Sequence, residues 1–577
     1  MKEAYLICSF KNINFLINSQ NLNLKKSNKL IITDKLAIYI FLKKEGFKNI
    51  QCLDHKFKGS IKKNLFIKNY RYFDQKLMSI GIKNKIKIDN VRINSIYNTF
   101  CFDLPRLYAG VKFILSSLDQ VIKIHRIKRI NYLDDLEHDF LSKTFYRKVF
   151  QFHLKKKKVF FSTFSNTENN FNFLFMFKKI FLQFFFILNE INVSIIIVKF
   201  KKMFSDIYFS SIKSNVIIEP ALDLNYSNYN IKKTKFVDTN EKFLILFENI
   251  CLKNLNFENI NFKDLESIFI SYILEINKFF KKYSKESLGY LEKKIVFKKL
   301  KNIYWGQSPS FLIRNLLILL KKKYKIFGVQ HGGSYFVTEK DLMHKHSDYF
   351  FCDTFLSYGI SKLFDKKKYL TKTKLLHTGS FKEPYISEVT KIKNLIKSNI
   401  MYLPISLNNF FKPNFQSSQT ERFNDQIEIC EILNKKNSYR TFVKVLPMSF
   451  YKKTLINLYN IETNPIYIYL EKFKNLVVSH NTLRTAVKKI RPGILICDFF
   501  STPIYELANS DIEIILILDK NNMPKKDILK VMKQRFYIIK SPKEINLTLK
   551  KIKQKKNKKS NDFHDLYYKS KLNYRIN

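Results

Sequence analysis

Short apolar segments alternate with helical patterns through the C-terminal half of the chain, and this rhythm restricts the fold more than any other feature. "KIFGV" (325–329), "IMYLP" (400–404) and "EIILILD" (513–519) each have the length and composition of a buried strand. Between such segments lie patterns such as "FLIRNLLILLKKKY" (311–324), with apolar residues at helical spacing. Strands that alternate with helices at this pitch predict βαβ units and therefore parallel sheets.

The alternation of strand and helix patterns stops after "KLLHTG" (374–379) and begins again at 400, which predicts two α/β units. We place an N-terminal domain at 1–385, a Rossmann-like C-terminal domain at 395–550 and a basic tail at 551–577. The N-terminal domain should carry helical insertions, because long amphipathic patterns fill 104–130 and 262–283. Within its last part we predict a strand at 348–352 followed by a helix at 354–364.

The formal net charge of +55, from 103 Lys and Arg against 48 Asp and Glu, would attract polyanions. The basic residues are scattered, however, and Lys, Asn, Ile and Phe are all residues with A/T-rich codons. Codon bias therefore explains most of the charge, and nucleic-acid binding is not indicated. A positive field would still hold the protein near anionic lipid head groups.

The seven cysteines lie far apart and form no C-x-x-C pair, so neither a zinc site nor a redox motif is indicated. We expect reduced, buried thiols in a cytoplasmic protein. The start of the chain lacks the features of a signal peptide. The most apolar region is interrupted by Asn189, Glu190 and Asn192, which leaves pieces too short to span a membrane.

The first candidate site is "FGVQHGGSYF" (327–336), in a chain with only 12 glycines. It follows a predicted parallel strand, and ligands bind beyond the carboxyl ends of such strands. Gly332 and Gly333 would let a substrate approach the backbone, while His331 could act as a general base or donate to a phosphate. The alternative is a tight turn whose histidine is bonded to backbone.

The second candidate is "ICDFFSTPIYELAN" (496–509), where a strand ends at Asp498 and a helix follows. Thr502 before Pro503 is a good N-cap, and with Ser501 it offers hydroxyls beside free amides at a positive helix end. Glu506, one turn later, could accept from a sugar hydroxyl. Ordinary helix capping is the alternative.

Lys444 in "FVKVLP" leaves another predicted strand near its carboxyl end and could neutralise a phosphate. Glu339, His344 and His346 follow the glycine pair, but no compact set of ligands is evident and no metal is predicted.

Taken in order, "GVQHGGSYF", "HTGSF", "IMYLP", "VKVLP" and "ICDFFSTPIYELAN" resemble transferases of bacterial surface-carbohydrate biosynthesis. These are similar to GT-B glycosyltransferases and, more distantly, to CDP-glycerol glycerophosphotransferases. The resemblance covers about residues 300–520. In this chain Lys444 stands where the family often has arginine, whose planar fork grips phosphate differently.

The resemblance implies a GT-B-like fold, with two Rossmann-like domains facing across a cleft. The C-terminal domain would hold a nucleotide-activated donor and the N-terminal domain the acceptor, a glycan or lipid-linked glycan. The family's pattern assigns catalysis to the first loop (His331 and Glu339). It assigns donor and phosphate binding to Gln330, Gly332, Gly333, Lys444, Asp498, Ser501, Thr502 and Glu506.

We therefore hypothesise a cytoplasmic transferase, peripheral at the inner face of the membrane, that needs no cofactor or metal. It would move a sugar or a polyol phosphate to a surface polysaccharide. One alternative is a non-catalytic nucleotide-sugar-binding or scaffold protein of the same pathway. The other is a nucleic-acid-binding protein.

Overall fold

The fold was analysed in a computed structural model of the 577-residue chain. The structure describes the following residues: 3–8, 29–56, 59–83, 86–88, 91–93, 103–133, 143–164, 211–212, 215–218, 264–271, 273–274, 302–305, 321, 324–330, 335, 337, 352–358, 373–378, 392, 394–405, 407, 419–445, 465–500, 502–519, 523–554 and 563.

The N-terminal sheet is parallel and has Rossmann-type strand order. The strands between residues 3 and 164 are β1 (Glu3–Ile7), β2 (Leu30–Thr33), β3 (Ile50–Cys52), the hairpin strands β4 (Ile86–Ile88) and β5 (Val91–Ile93), β6 (Arg129–Leu133) and β7 (Phe160–Phe164). Apart from the hairpin, they form a sheet in the order β3-β2-β1-β6-β7. The chain thus winds in both directions from β1, as in dinucleotide-binding folds.

A middle sheet follows, in which strands are added one after another along the chain. It comprises β8 (Ser211–Ile212), β9 (Asn215–Ile218), β10 (Asn302–Trp305), β11 (Lys325–Val329), β12 (Thr354–Ser357) and β13 (Lys374–His377). All neighbours from β9 to β13 are parallel, and β8 is antiparallel to β9.

The C-terminal sheet has the full six-stranded Rossmann order. Its strands are β14 (Ile396–Leu403), β15 (Arg440–Lys444), β16 (Leu476–Ser479), β17 (Pro492–Cys497), β18 (Glu513–Ile517) and β19 (Tyr537–Ile539). They lie in the order β16-β15-β14-β17-β18-β19, and every pair is parallel. The direction of winding reverses between β14 and β17, which is where open α/β sheets bind their ligands.

Helices connect the strands. They are α1 (Leu36–Lys44), α2 (Gly59–Lys83), α3 (Asp103–His125), α4 (Lys143–Lys156), α5 (Gln419–Asn434), α6 (Tyr467–Leu470), α7 (Leu483–Ile490), α8 (Thr502–Leu507), α9 (Lys526–Arg535) and α10 (Ile545–Gln554). Within 262–283, predicted as a helical insertion, residues 265–271 are helical. No helix in the described ranges is long and apolar enough to cross a membrane.

Two Rossmann-type sheets in one chain, packed against each other, confirm the predicted GT-B-like α/β class. The region 1–385 contains the N-terminal sheet, the β4–β5 hairpin and the whole of the middle sheet. The predicted domain bounds at 385 and 395 stay a prediction.

The helix predicted at 354–364 is wrong at its first four residues, which form a strand, whereas 348–351 and 359–364 lie outside the described residues. The strand is β12 at Thr354–Ser357, where we had predicted the start of the helix. All four of its residues are buried, so both faces of β12 are covered, and β11 and β13 cover its two edges. Its sequence, TFLS, does not alternate between apolar and polar residues, and without alternation periodicity cannot tell a buried strand from a helix.

The N-terminal and C-terminal sheets share one hydrophobic cluster. Tyr5, Ile7 and Ile31 from the first sheet belong to the same buried cluster as Ile400 and Val443 from the last. The opposite face of the C-terminal sheet, with Met401 and Phe442, packs into a second cluster that also reaches the middle sheet. The C-terminal sheet is therefore covered on both faces.

A buried aspartate joins the two sheets at one helix end. The Oδ2 atom of Asp54, which follows β3, accepts hydrogen bonds from the backbone N and the Oγ1 of Thr420, both at 3.0 Å. Thr420 lies in the first turn of α5, whose amide groups have no partner within the helix. Asp54 is fully buried and acts as an N-terminal cap supplied from 366 residues away.

We expect Asp54→Ala to lower the free energy of unfolding by about 1–2 kcal/mol, because it removes a cap and leaves amides unpaired. The matched variant Thr420→Val keeps the backbone bond and should cost less. Urea denaturation followed by circular dichroism measures both. Equal stability of Asp54→Ala and the wild type would show that the cap contributes nothing.

Candidate functional site

The carboxyl edge of the C-terminal sheet brings several predicted site residues together. Lys444 is the last residue of β15, Asp498 directly follows β17, and Thr502 begins α8. β14, the strand at the switch point, lies between β15 and β17. These residues are thus grouped around the position where a parallel sheet of this order binds ligands.

Both carboxylate oxygens of Asp498 accept hydrogen bonds from protein groups. Its Oδ1 accepts from the Ile405 amide at 2.7 Å, and its Oδ2 accepts from Tyr402 Oη and Gln426 Nε2, both at 3.0 Å. Its backbone carbonyl accepts from Arg422 Nη1 at 3.0 Å. The side chain is buried, and it joins the loop after β14, helix α5 and the end of β17. The carboxylate oxygens of Asp498 thus already accept from protein donors at the switch point, and its predicted contact with a donor stays a prediction.

Burial raises the pKa of Asp498, whereas Arg422 and the three donors to its carboxylate oppose that rise. Arg422 also forms a buried ion pair with Asp519, Nη2 to Oδ2 at 3.7 Å. Nearby on α5, burial raises the pKa of Asp425 to about 6, an effect that Arg422 opposes and Asp498 reinforces. The α5 side of the edge is thus a buried polar network, in which Arg422 Nε and Gln426 Oε1 have no hydrogen-bond partner among the described residues.

Lys444 lies on the other face of the sheet. Val443 and Val445 belong to the cluster on the α5 side and Phe442 to the opposite one, so alternation puts Lys444 on the Phe442 face. The side chain is 7% exposed, and its Nζ donates to the Val445 carbonyl at 3.2 Å. Within the described ranges no carboxylate lies within ion-pair distance of this ammonium group. Burial lowers the pKa of Lys444 to about 8.

Ser479 is the neighbour of Lys444 across the strand pair. The two residues are in register between β15 and β16, so their side chains lie on the same face. Ser479 is 6% exposed, and its Oγ has no hydrogen-bond partner among the described residues. Helix α7 begins four residues later and is capped by Thr482, whose Oγ1 accepts from the Thr485 amide at 3.4 Å.

A buried ammonium group, a buried hydroxyl and a nearby helix start can together bind an anion. We call Lys444 and Ser479 the lysine–serine pair. Sequence reasoning singled out Lys444 but missed Ser479. The available signal was "LVVSHNTLR", in which an apolar strand ends in polar residues directly before a helix.

Gln330 lies at the carboxyl end of β11 in the middle sheet and joins that strand to the next. Its backbone N donates to the Leu356 carbonyl and its Oε1 accepts from the Tyr358 amide, both at 2.9 Å. Its side chain is buried, so it holds the start of the glycine loop in place. Gly328 just before it is tightly packed, because an added Cβ would lie 2.8 Å from the Phe355 ring.

His331, Gly332, Gly333, Glu339 and Ser501 lie outside the described residues, as do His344 and His346. Beyond the glycine pair, the Val337 carbonyl accepts from the Lys525 amide at 2.9 Å. The chain that leaves the loop therefore reaches the C-terminal domain just before α9. Of the remaining predicted residues, Thr502 is partly exposed and Glu506 is buried within α8.

No family model matches the chain, and no curated protein matches it. Among solved structures, UDP-GlcNAc 2-epimerase from Methanocaldococcus jannaschii in complex with UDP-GlcNAc and UDP is 11% identical, with a TM-score of 0.34. The match covers 55% of this chain and 82% of the epimerase. The enzyme from Neisseria meningitidis bound to UDP-GlcNAc is 10% identical, with a TM-score of 0.32, and the match covers 56% and 85%. Similarities with TM-scores this low support no conclusion about function. The resemblance to surface-carbohydrate transferases stays a prediction.

We expect Lys444→Met to raise the free energy of unfolding at pH 7 by about 1–3 kcal/mol, because it removes a buried charge. The unfolded lysine keeps its proton up to about pH 10.5, whereas the folded one releases it near 8. The wild type therefore gains stability between these values, and the advantage of the variant should shrink there. Denaturation at pH 7 and pH 10 measures this.

The exposed Lys530 on α9 provides a control, because Lys530→Met makes the same charge change at the surface. Its effect on unfolding should stay within about 0.5 kcal/mol at both pH values. A Lys444→Met protein less stable than the wild type at pH 7 would contradict the account of an uncompensated buried charge.

Proposed function

We propose that this protein binds a nucleotide-activated sugar or polyol phosphate through its diphosphate at the lysine–serine pair. It would transfer the sugar or polyol phosphate to a surface polysaccharide or lipid-linked glycan. The observation that carries the proposal is the buried Lys444, next to a buried hydroxyl without a partner in the described ranges.

A buried lysine is costly to a fold unless a negative charge is placed against it. Here the cost is visible as a pKa lowered to about 8 by burial. A phosphate would reverse that shift, because an anion next to the ammonium group favours its charged form. Ser479 Oγ would gain an acceptor in the same event, so one ligand group would satisfy both residues of the pair.

Asp498 and Gln330 would be positioning residues in this scheme. Asp498 holds the loop after β14 against β17, and Gln330 holds the start of the glycine loop against β12. Thr502 begins a helix beside the same edge, and its free amides would contact the donor.

Residues of the glycine loop would carry the chemistry. His331 would take the proton from the attacking hydroxyl of the acceptor or contact the leaving phosphate. The amides of Gly332 and Gly333 would stabilise the charge that develops as the nucleotide departs. Lys444 and the helix starts supply positive charge, so we propose that the reaction needs no metal ion.

Isothermal titration of CDP, UDP and CMP tests the binding step. Lys444→Met should weaken diphosphate binding by about 10–100-fold, since a charge-assisted contact is lost. Ser479→Ala should weaken it several-fold, while Lys530→Met should leave it unchanged. Equal affinities in the wild type and Lys444→Met would remove the lysine–serine pair from the site.

Product release from nucleotide-activated donors tests the catalytic step. His331→Ala should lower turnover by about 100-fold or more while diphosphate binding persists, because a general base contributes about that factor. Near-normal turnover of His331→Ala would remove the histidine from the mechanism. A wild-type protein that binds donors but never releases product would favour the non-catalytic, scaffold alternative.

An acceptor carried on a lipid would require the enzyme to work next to a membrane. We therefore propose a cytoplasmic site of action, peripheral at the inner face of the membrane.

A further inference from the structure

Three helix-to-strand turns precede β3, β6 and β7 at the amino-terminal edge of the N-terminal sheet, and all three have the same construction. In each, an amide two or three residues past the helix end bonds back to the carbonyl five residues earlier, in the last turn of the helix. The three bonds are Phe47 N to Leu42 O (3.0 Å), Ile127 N to Ile122 O (3.1 Å) and Val159 N to Leu154 O (3.0 Å). This is the Schellman motif, and the residue that donates the bond is a buried hydrophobic one each time.

The motif needs one residue in the left-handed region, and glycine is the usual choice. The first turn follows that rule with Gly46 at φ 89°. The other two have Arg126 at φ 51° and Lys158 at φ 56°. A side chain in this region costs conformational free energy, so the last two turns carry long cations where the backbone favours glycine.

These two turns are side by side. β6 and β7 pair in register from Arg129 and Phe160, and the Phe160 amide donates to the Lys128 carbonyl at 2.9 Å. Helices α3 and α4 meet just before the turns, where His153 Nε2 lies 2.8 Å from Asp119 Oδ1. The two turns therefore form one continuous surface.

That surface is densely basic, and we call it the basic edge. Its exposed or partly exposed cations are Lys123, Arg126, Lys128, Arg129, Lys155, Lys156, Lys157 and Lys158. Acidic side chains lie among them: Lys157 pairs with Asp119 at 3.1 Å, Arg129 pairs with Glu3 at 3.5 Å, and Lys156 interacts electrostatically with Asp264. The helix dipole favours basic residues at the ends of α3 and α4, and Arg126 and Lys158 add a long cation at each left-handed position.

Two large apolar side chains are exposed among these cations. Ile124, in the last turn of α3, is 62% exposed, and Phe160, at the start of β7, is 58% exposed. The Arg129 guanidinium lies 4.9 Å from the centre of the Phe160 ring. Apolar side chains surrounded by Lys and Arg suit the boundary between lipid head groups and acyl chains. A phosphate backbone would attract the cations but offers no apolar partner for Ile124.

We propose that the basic edge is a docking surface for an anionic lipid bilayer. Its cations would contact the head groups, and Ile124 and Phe160 would insert at the level of the acyl boundary. The inference does not depend on the donor site, which lies at the carboxyl edge of another sheet.

Flotation with vesicles of phosphatidylglycerol and phosphatidylcholine tests whether the basic edge binds an anionic bilayer. Vesicles of pure phosphatidylcholine serve for comparison. The wild type should bind the anionic vesicles only, and less as salt rises. The double variant Arg126→Gly/Lys158→Gly should bind about 30-fold more weakly, because each cation contributes about a fivefold factor. Its fold should persist, since glycine is the residue that these backbone angles favour.

Arg491 is a matched control. It is exposed and left-handed at φ 47°, and it ends α7 in the C-terminal domain, so Arg491→Gly makes the same change outside the basic edge. Vesicle binding by this variant should stay within about twofold of the wild type. A loss of about fivefold, equal to that expected for each cation of the double variant, would mean that overall charge, and not this surface, decides binding, and would overturn the proposal.

The pair Ile124→Ser/Phe160→Ser separates lipid from nucleic acid. Binding to anionic vesicles should fall by about tenfold or more, because buried apolar area is lost, while binding to double-stranded DNA is unchanged. The proposal is overturned if the wild type ignores anionic vesicles. It is equally overturned if this variant keeps full vesicle binding, since the surface would then be a general polyanion site.

Discussion

The buried carboxylate of Asp498 is the interaction on which the carboxyl edge of the C-terminal sheet depends. Strands β14 and β17 are neighbours in the sheet, but nearly ninety residues of chain separate them, so the loops at their ends need a tie of their own. Asp498 provides it by accepting from Ile405, Tyr402 and Gln426 at once. A buried carboxylate with three fixed donors is a strong and specific restraint. Lys444 and Ser479 lie on the opposite face of the same sheet.

The lysine–serine pair and the Asp498 network show two ways of burying polar groups. In the network each carboxylate oxygen of Asp498 has donors, so its burial stabilises one arrangement of loops and helix. The pair instead leaves a cation and a hydroxyl without a matching anion in the described part of the chain. Structural burial satisfies its own groups, whereas a binding site keeps some unsatisfied until the ligand arrives. On this difference we base the proposal that Asp498 positions the site and that Lys444 contacts the ligand.

Much of this arrangement could be predicted from the sequence because parallel sheets have simple periodicity. Most C-terminal strands, the helix near 421–436 and the position of Lys444 at a strand end all follow from apolar runs and their spacing. β12 could not be assigned, since Thr354–Ser357 is buried on both faces and has no alternation to read.

The hydrogen-bond partners of Asp498 could not be predicted from the sequence either. A residue after a strand can face a ligand or its own loop, and only the positions of Tyr402 and Gln426 decide which. Ser479 was missed for the same reason, because its register with Lys444 is a tertiary fact.

The cap that Asp54 places on α5 has a consequence for the order of folding. As the chain is synthesised, the N-terminal sheet emerges first and must keep the turn after β3 available until a helix 366 residues later has been made. Until then α5 begins without that partner, and the apolar face that the first sheet shares with Ile400 and Val443 stays uncovered. Contacts this distant in sequence close large loops and slow the final docking step. A fragment that begins at the C-terminal domain would lack both the Asp54 cap on α5 and the apolar surface of the N-terminal sheet. The N-terminal and C-terminal sheets therefore reach their folded structure together.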